Sequence, residues 1–219
     1  MFIYKRTGNL WQKVLVNIDI KLSILCVKWA PSSKKFALGA SCNTLGIGFY
    51  NVETACWTTA TKDKLCKSPI ISVSFHPSSN IVAIGSTDNS VKIISCSFKK
   101  SKDVFVEKSD VEDKTYQGPF ANVDSLFEIL FQIEDVGGWV NHVSFELGGS
   151  FLLVLPHSNH FKLFDVADNA GKVETKEMDV KWNGLPFLSG FISDKGLLYL
   201  GGYDKKVAVF NRSSRKYLT

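Results

Sequence analysis

One pattern recurs along the chain and limits what it can fold into. Its clearest copy is Ile71-Ser72-Val73-Ser74-Phe75-His76-Pro77-Ser78-Ser79-Asn80-Ile81-Val82-Ala83-Ile84-Gly85-Ser86-Thr87-Asp88. An inner strand ends in an aromatic residue, a tight polar turn follows, and a second strand of small and branched residues runs into a Gly-x-x-Asp turn. Val27-Lys28-Trp29-Ala30-Pro31 with Phe36-Ala37-Leu38-Gly39 repeats it, as do Val143-Ser144-Phe145 with Phe151-Leu152-Leu153-Val154, and Gly190-Phe191 with Leu197 to Asp204. The anchoring aromatics Trp29, Phe75, Phe145 and Phe191 lie 46, 70 and 46 residues apart. Two equal intervals, with a third longer by 24 residues, describe a repeat array with one insertion.

Each repeat holds several short β-prone runs parted by Gly, Pro, Ser, Asn and Asp, which is antiparallel strand-and-turn patterning. No helical period competes with it. Strands are expected at about 24–30, 35–41, 45–51 and 56–61, then 70–76, 80–86 and 90–96. A charged, proline-marked stretch at about 97–125 reads as a surface insertion, with the delayed fourth strand beginning at Phe127. Later repeats offer strands near 139–146, 150–156, 160–166 and 172–178, then 186–192, 196–202 and 205–211, with Ser214 to Thr219 starting an outer strand. Residues 1–18 read as a hairpin, Phe2-Ile3-Tyr4 and Trp11 to Ile18 about the turn Arg6-Thr7-Gly8-Asn9.

Repeats of about 46 residues with four strands each imply an all-β chain, a β-propeller of the WD-repeat or kelch size class. A lone four-stranded blade exposes apolar faces that only neighbouring blades can cover. Four blades plus half of another are expected, within a single propeller region spanning 1–219. Because the pattern starts and stops in mid-repeat, a piece of a larger ring is the expected state.

Composition agrees with a folded protein. Of the 219 residues, 45% are hydrophobic, too many for a disordered chain. No run approaches the roughly 18 apolar residues of a membrane span, and the start lacks the apolar core of a secretory signal. Cys26, Cys42, Cys56, Cys66 and Cys96 form no zinc-like spacing and are expected as reduced thiols in a cytosolic or nuclear protein. The net charge of +5 is mild, and its positives read as solvated surface lysines.

Catalytic chemistry finds little support. His157 and His160 share a turn without further metal ligands. Asp88 and Asp204 occupy equivalent turn positions, where backbone capping explains them better than acid–base work. There is no G-x-S-x-G elbow, and Gly39 to Gly48 lacks the Lys-Ser/Thr of a phosphate loop. No catalytic residue, cofactor or metal is expected, and no nucleic acid partner. Trp29 and Trp139 read as packing residues rather than partner anchors. Lys99, Lys100 and Lys102 in the insertion are the candidate partner contacts, against solvated loop charge as the plainer reading.

The repeats resemble those of a known family. Cys26-Val27-Lys28-Trp29-Ala30-Pro31, Ser72-Val73-Ser74-Phe75-His76-Pro77 and Gly138-Trp139-Val140-Asn141-His142-Val143-Ser144-Phe145 are similar, in order and spacing, to the third, fourth and fifth repeats of the WD-repeat subunit (subunit 1) of the actin-related protein 2/3 complex. The insertion falls at the matching place. That family forms a seven-bladed ring, of which the first blade, part of the second, the last two and a late insertion have no counterpart here. The Gly-His and Trp-Asp dipeptides of standard repeats are absent, Phe164-Asp165 and Phe210-Asn211 being the nearest substitutes.

The resemblance implies a noncatalytic scaffold that binds other subunits, actin-related protein 2 and the actin filament. It also implies receipt of acidic nucleation-promoting tails, help in filament nucleation and branching, and residence in the cytoplasm and cytoskeleton, with the nucleus as a second compartment. The competing reading is a WD-repeat adaptor of a coat, kinetochore or ubiquitin-ligase assembly. A third, an enzyme on a propeller, would require polar side chains converging at the channel mouth.

Overall fold

A computed structural model describes residues 1–51, 54–98, 125–169 and 172–218. All regular elements among them are strands. A leading hairpin pairs β1 (Phe2–Thr7) with β2 (Leu10–Leu15). The first blade is β3 (Ile24–Trp29), β4 (Lys35–Ala40), β5 (Leu45–Asn51) and β6 (Cys56–Lys62). The second is β7 (Ile70–Phe75), β8 (Ile81–Ser86), β9 (Val91–Ser95) and β10 (Ile129–Ile133). The third is β11 (Val140–Phe145), β12 (Phe151–Pro156), β13 (His160–Asn169) and β14 (Lys172–Lys181). The fourth is β15 (Phe187–Ile192), β16 (Leu197–Gly202), β17 (Val207–Asn211) and β18 (Lys216–Tyr217). Every blade is an antiparallel meander, so the fold is a partial propeller of four blades and an outer hairpin.

Burial shows how the blades stack. β4 and β8 are buried at every position, because a neighbour covers each face. Their sequences accordingly read as unbroken small and apolar runs rather than alternating ones. β16 alternates instead: Leu198 and Leu200 are buried against the third blade, while Leu197 and Tyr199 between them are partly open. Each fully buried Leu, Ile or Val contributes about 1.5–3 kcal/mol, so the inter-blade cores dominate stability.

The repeat also fixes fine geometry. Each inner strand bulges near its start, between Ile24 and Cys26, Ile70 and Ser72, Val140 and His142, and Phe187 and Ser189. In the following turns the amides of Ser33, Ser79, Gly149 and Gly196 donate to the carbonyls of Ala30, His76, Glu146 and Ser193, each at 2.9 Å. Their φ angles are 57°, 59°, 79° and 70°, the left-handed conformation that glycine adopts without strain.

Close blade contact needs glycine at a second place. A Cβ on Gly39 would fall 2.6 Å from Ile70 Cγ2, and one on Gly85 would fall 2.4 Å from Val140 Cγ1. At the equivalent Gly201 a Cβ would meet nothing within 4 Å. Gly85→Ala is therefore expected to destabilise by about 1–3 kcal/mol, with Gly201→Ala near neutral in the same urea titration. Equal effects would contradict the stacking.

Three expectations need correction. Phe191 is not the structural counterpart of Trp29, Phe75 and Phe145. Those three pair with Phe36, Val82 and Leu152, whereas in the fourth blade the residue before the turn is Ile192, paired with Leu198. Ile192 is buried and Phe191 points outward, stacked on Tyr199 at 5.0 Å. The fourth strand of the second blade starts at Ile129, since Phe127 adopts a φ of 62° in the preceding turn. Finally, Lys35 is not a surface lysine: it is 1% exposed.

Candidate interaction surface

Polar pins join successive blades, and they determine which surfaces are left over. Between the first and second, Lys35 Nζ donates to Ser79 O at 3.2 Å, Asn80 Oδ1 at 2.8 Å and Cys96 O at 3.3 Å. Between the second and third, His76 Nε2 meets Gly149 O at 3.1 Å, and the amides of Val143 and Phe145 donate to the Ser72 and Ser74 hydroxyls, each at 3.0 Å. Between the third and fourth, His142 Nε2 lies 2.9 Å from Gly190 O and Asn141 Nδ2 donates to Phe187 O at 2.9 Å.

The histidines are structural. His76 Nδ1 accepts from the Ser78 amide, so Nε2 carries the proton donated to Gly149. Burial drives its pKa down to about 4, partly opposed by the bond to Gly149. Burial lowers His142 as well, the bond to Gly190 opposes it, and nearby Lys28 adds to the lowering. His157 and His160 do not converge on a common ion: His157 packs on the Trp139 ring, centroids 4.8 Å apart, and His160 faces Asp179 at 3.4 Å. No group of three metal-ligating side chains exists among the described residues.

The two aspartates cap backbone. Asp88 accepts from the Lys67 amide at 2.6 Å and from the amide and hydroxyl of Ser90 at 3.0 and 2.5 Å. Burial raises its pKa, but these bonds outweigh that and hold the carboxyl below its ordinary range. Asp204 accepts from the Leu185 amide at 2.8 Å and from Trp182 Nε1 at 3.2 Å. Each therefore ties its turn to the chain entering its own blade. Asp88→Ala leaves three donors without this acceptor and is expected to cost about 1–3 kcal/mol, read as a lowered urea midpoint. Because the folded pKa is depressed, the carboxylate's stabilisation is lost as pH falls through its titration.

Three of the thiols are made unreactive by their environment. Burial pushes Cys26 up to about 11 and Cys96 to about 12, and raises Cys66. None of these three is a thiolate nucleophile at neutral pH.

Among the described residues, the accessible features include two clefts and the open sheet faces of the first and fourth blades. A cleft of about 350 Å³ opens where the inner strands converge, with Lys28, Trp29, Ser74, His142, Ser189 and Phe191 among its walls. It offers hydroxyls, one cation, aromatic edges and the His142 ring held by Gly190 O, and among the described residues no serine hydroxyl of its walls is hydrogen-bonded to that ring. A second cleft, about 300 Å³, lies between the third and fourth blades, where Arg212 is held by Glu146 at 3.2 Å and over the Phe151 ring at 3.7 Å. Trp29 and Trp139 are about half exposed, at 50% and 49%, so neither is sealed within a blade stack. Trp29 leans edge-on against Phe36 and Trp57. Phe75 and Phe145, in contrast, lie in inter-blade cores. Lys99, Lys100 and Lys102 lie outside the described residues, as does most of the 97–125 insertion. Of it, Phe98 is buried against Phe49, centroids 4.2 Å apart.

No family model matches the chain. Among curated proteins, actin-related protein 2/3 complex subunit 1A-B of Xenopus laevis is 24% identical over 220 residues, covering 100% of this chain and 55% of its own length. Subunit 1A of Arabidopsis thaliana is 26% identical over 211 residues, 95% of this chain and 52% of its own. Subunit 1 of Schizosaccharomyces pombe is 23% identical over 206 residues, 93% and 51%. The chain spans about half the length of the curated relatives it matches. Among solved structures, the RRP9 WD40 repeats and U3-55K each superpose with a TM-score of 0.66 at 14% identity, over 92% of this chain and 52% of theirs. The fold is thus a partial WD-repeat propeller, and nearly the whole chain is similar to the WD-repeat subunit 1 of actin-related protein 2/3 complexes.

Proposed function

We propose that the chain is a noncatalytic scaffold component of an actin-nucleating assembly resembling the actin-related protein 2/3 complex. The observation that carries this reading is the similarity over nearly the whole chain to curated proteins named for that subunit, on three divergent organisms' sequences. The physical mechanism is presentation: polar-pinned blades hold turns and exposed faces at fixed positions for other subunits. Actin-related protein 2, the actin filament and acidic nucleation-promoting tails are the proposed partners, and cytoplasm and cytoskeleton the proposed location. The Lys99, Lys100 and Lys102 cluster is the proposed contact for acidic tails. Half-exposed Trp29 and Trp139 are proposed as aromatic contacts, while Phe75, Phe145, Asp88 and Asp204 keep structural roles and Phe191 lines the central cleft.

Affinity purification of the endogenous protein with quantitative mass spectrometry tests the assembly. Actin-related proteins 2 and 3 should be recovered in near-stoichiometric amounts. Their absence beside another stable set of subunits would favour a WD-repeat adaptor of a different assembly. Reversing Lys99, Lys100 and Lys102 to glutamate should weaken binding of an acidic tail peptide about tenfold at low salt, a difference that salt screening removes. An unchanged affinity would withdraw those lysines from the site.

A further inference from the structure

One end of the third blade carries aromatic rings that the repeat does not require. In every blade the residue after the second strand donates its amide to the residue before the inner strand. Ser41 donates to Ser23 O at 2.9 Å, Thr87 to Pro69 O at 3.1 Å, His157 to Trp139 O at 2.8 Å and Tyr203 to Pro186 O at 3.4 Å. The strand registers make these four pairs equivalent. Only main-chain atoms make the bond, and serine, threonine and proline serve it in the first two blades. The rings of Trp139, His157 and Tyr203 add nothing to it. Trp139 and Tyr203 are nevertheless each 49% exposed. The third blade packs on a described blade at either side, so the exposure of Trp139 arises where both neighbours are in place.

The rings form one strip across the third and fourth blades. Trp139 and His157 lie 4.8 Å apart at 60°, and His157 and Tyr203 lie 5.8 Å apart at 84°. Together the two steps approach the ~9 Å of one polyproline II turn. The steep angles make the strip ridged rather than flat, which suits the three-sided cross-section of that helix. Its polar atoms are donors. Asn141 Nδ2 donates to Phe187 O at 2.9 Å, which fixes the amide, and the same nitrogen lies 3.4 Å from His157 Nδ1. Nδ1 is then the accepting nitrogen, and the neutral ring carries its proton on Nε2. That N–H, Trp139 Nε1–H and Tyr203 O–H have no hydrogen-bond partner among the described residues. Apolar faces set with donors select a ligand that brings acceptors and few donors of its own. A proline-rich segment meets this: its carbonyls make no internal bonds, its prolines have no N–H, and its stiffness limits the entropy lost on binding.

We propose that Trp139, His157 and Tyr203 form a docking site for a proline-rich segment in the polyproline II conformation. Pyrrolidine rings lie on the aromatic faces, and carbonyls accept from the ring N–H and O–H groups. The inference gives the proposed Trp139 contact a ligand class and does not depend on an actin-related assembly. It is also separate from the Lys99, Lys100 and Lys102 contact, because β9 runs away from this end of the blades before the insertion begins.

The probe is a capped peptide of about ten prolines, with a Gly-Ser peptide of equal length as the flexible control. Each is titrated into the purified full chain and followed by NMR of the tryptophan indole N–H groups. The Trp139 signal should shift saturably with the proline peptide, and the signal of Trp11, on the leading hairpin, should not. Trp139→Ser and Tyr203→Thr install what the first and second blades carry at these positions, so both should fold, as urea titration checks. Trp139→Ser should weaken the peptide at least about tenfold and Tyr203→Thr at least about threefold. Tyr203→Phe keeps the ring and deletes the donor, and should fall between Tyr203→Thr and wild type. Undiminished binding by a folded Trp139→Ser or Tyr203→Thr variant would overturn the proposal. So would no binding to wild type, equal binding of the Gly-Ser peptide, or tighter Trp139-dependent binding of a single-stranded oligonucleotide, which would assign the strip to base stacking. Recovery of actin-related proteins from cells alters none of these outcomes, so the two readings fail separately.

Discussion

Lys35→Ala is expected to remove about 3–5 kcal/mol of stability, enough to unfold a domain of ordinary stability at physiological temperature. The side chain enters from the first residue of β4, is 1% exposed, and reaches three acceptors on the second blade. Truncation strands the buried Ser79 and Cys96 carbonyls and the part-buried Asn80 amide oxygen, and it opens a cavity the length of a lysine stem. Lys35→Met separates these effects: it refills most of the volume and leaves the acceptors unbonded, so about half of the loss should persist. Urea unfolding followed by tryptophan fluorescence checks both. A Lys35→Ala midpoint within error of wild type would remove the first joint from the account.

Acid should loosen the second joint. His76 is fully buried and its folded pKa lies near 4, below the ordinary histidine value of about 6.5. The unfolded chain therefore binds a proton that the folded chain refuses throughout that interval. The sign follows directly: stability is unaffected above the unfolded pKa and falls as pH drops from about 6.5 toward 4, by on the order of 3 kcal/mol in total. The interval from about 6.5 to 5 is the cleaner one, because carboxylates titrate below it. His76→Phe should be less stable than wild type at neutral pH, losing the bond to Gly149 O, yet should show a flatter profile between pH 6.5 and 5. His142 contributes in the same direction at the next joint, so a residual slope is expected from it. An unchanged slope in His76→Phe would contradict a proton-linked role for this side chain.

The strands of this fold were legible because two-sided burial leaves a distinctive run of apolar residues. Ile81-Val82-Ala83-Ile84-Gly85 can be little else than a central strand between neighbouring blades. The period also carried the blade boundaries through the long interval between Phe75 and Phe145. It misplaced one residue in the fourth blade, and the cause is local. Ala30–Lys35, His76–Ile81 and Glu146–Phe151 bracket turns of one length, whereas Ser193–Leu197 brackets a turn one residue shorter. A shift of one position exchanges the two faces of a strand, so Phe191 moved out and Ile192 moved in.

Lys35 was illegible for a different reason. In Lys34-Lys35 both residues have the composition of a solvated turn, and only the approach of Ser79, Asn80 and Cys96 from another blade makes one of them a buried pin. The half exposure of Trp29 was equally hidden, since a residue at a packing position is covered only when a neighbour is present to cover it. The capping bonds of Asp88 and Asp204 were readable, because equivalent positions in a repeat suggest a shared structural task.

Side-by-side packing of blades is the claim on which the scaffold reading stands, and single-amide hydrogen exchange on the isolated chain tests it within one molecule. Val143 and Phe145 donate across the second joint, whereas Val27 and Trp29, at the same repeat positions, face an open side. The first pair should exchange at least about 100-fold more slowly than the second. Equal rates for the two pairs would show that the blades do not close on one another as described.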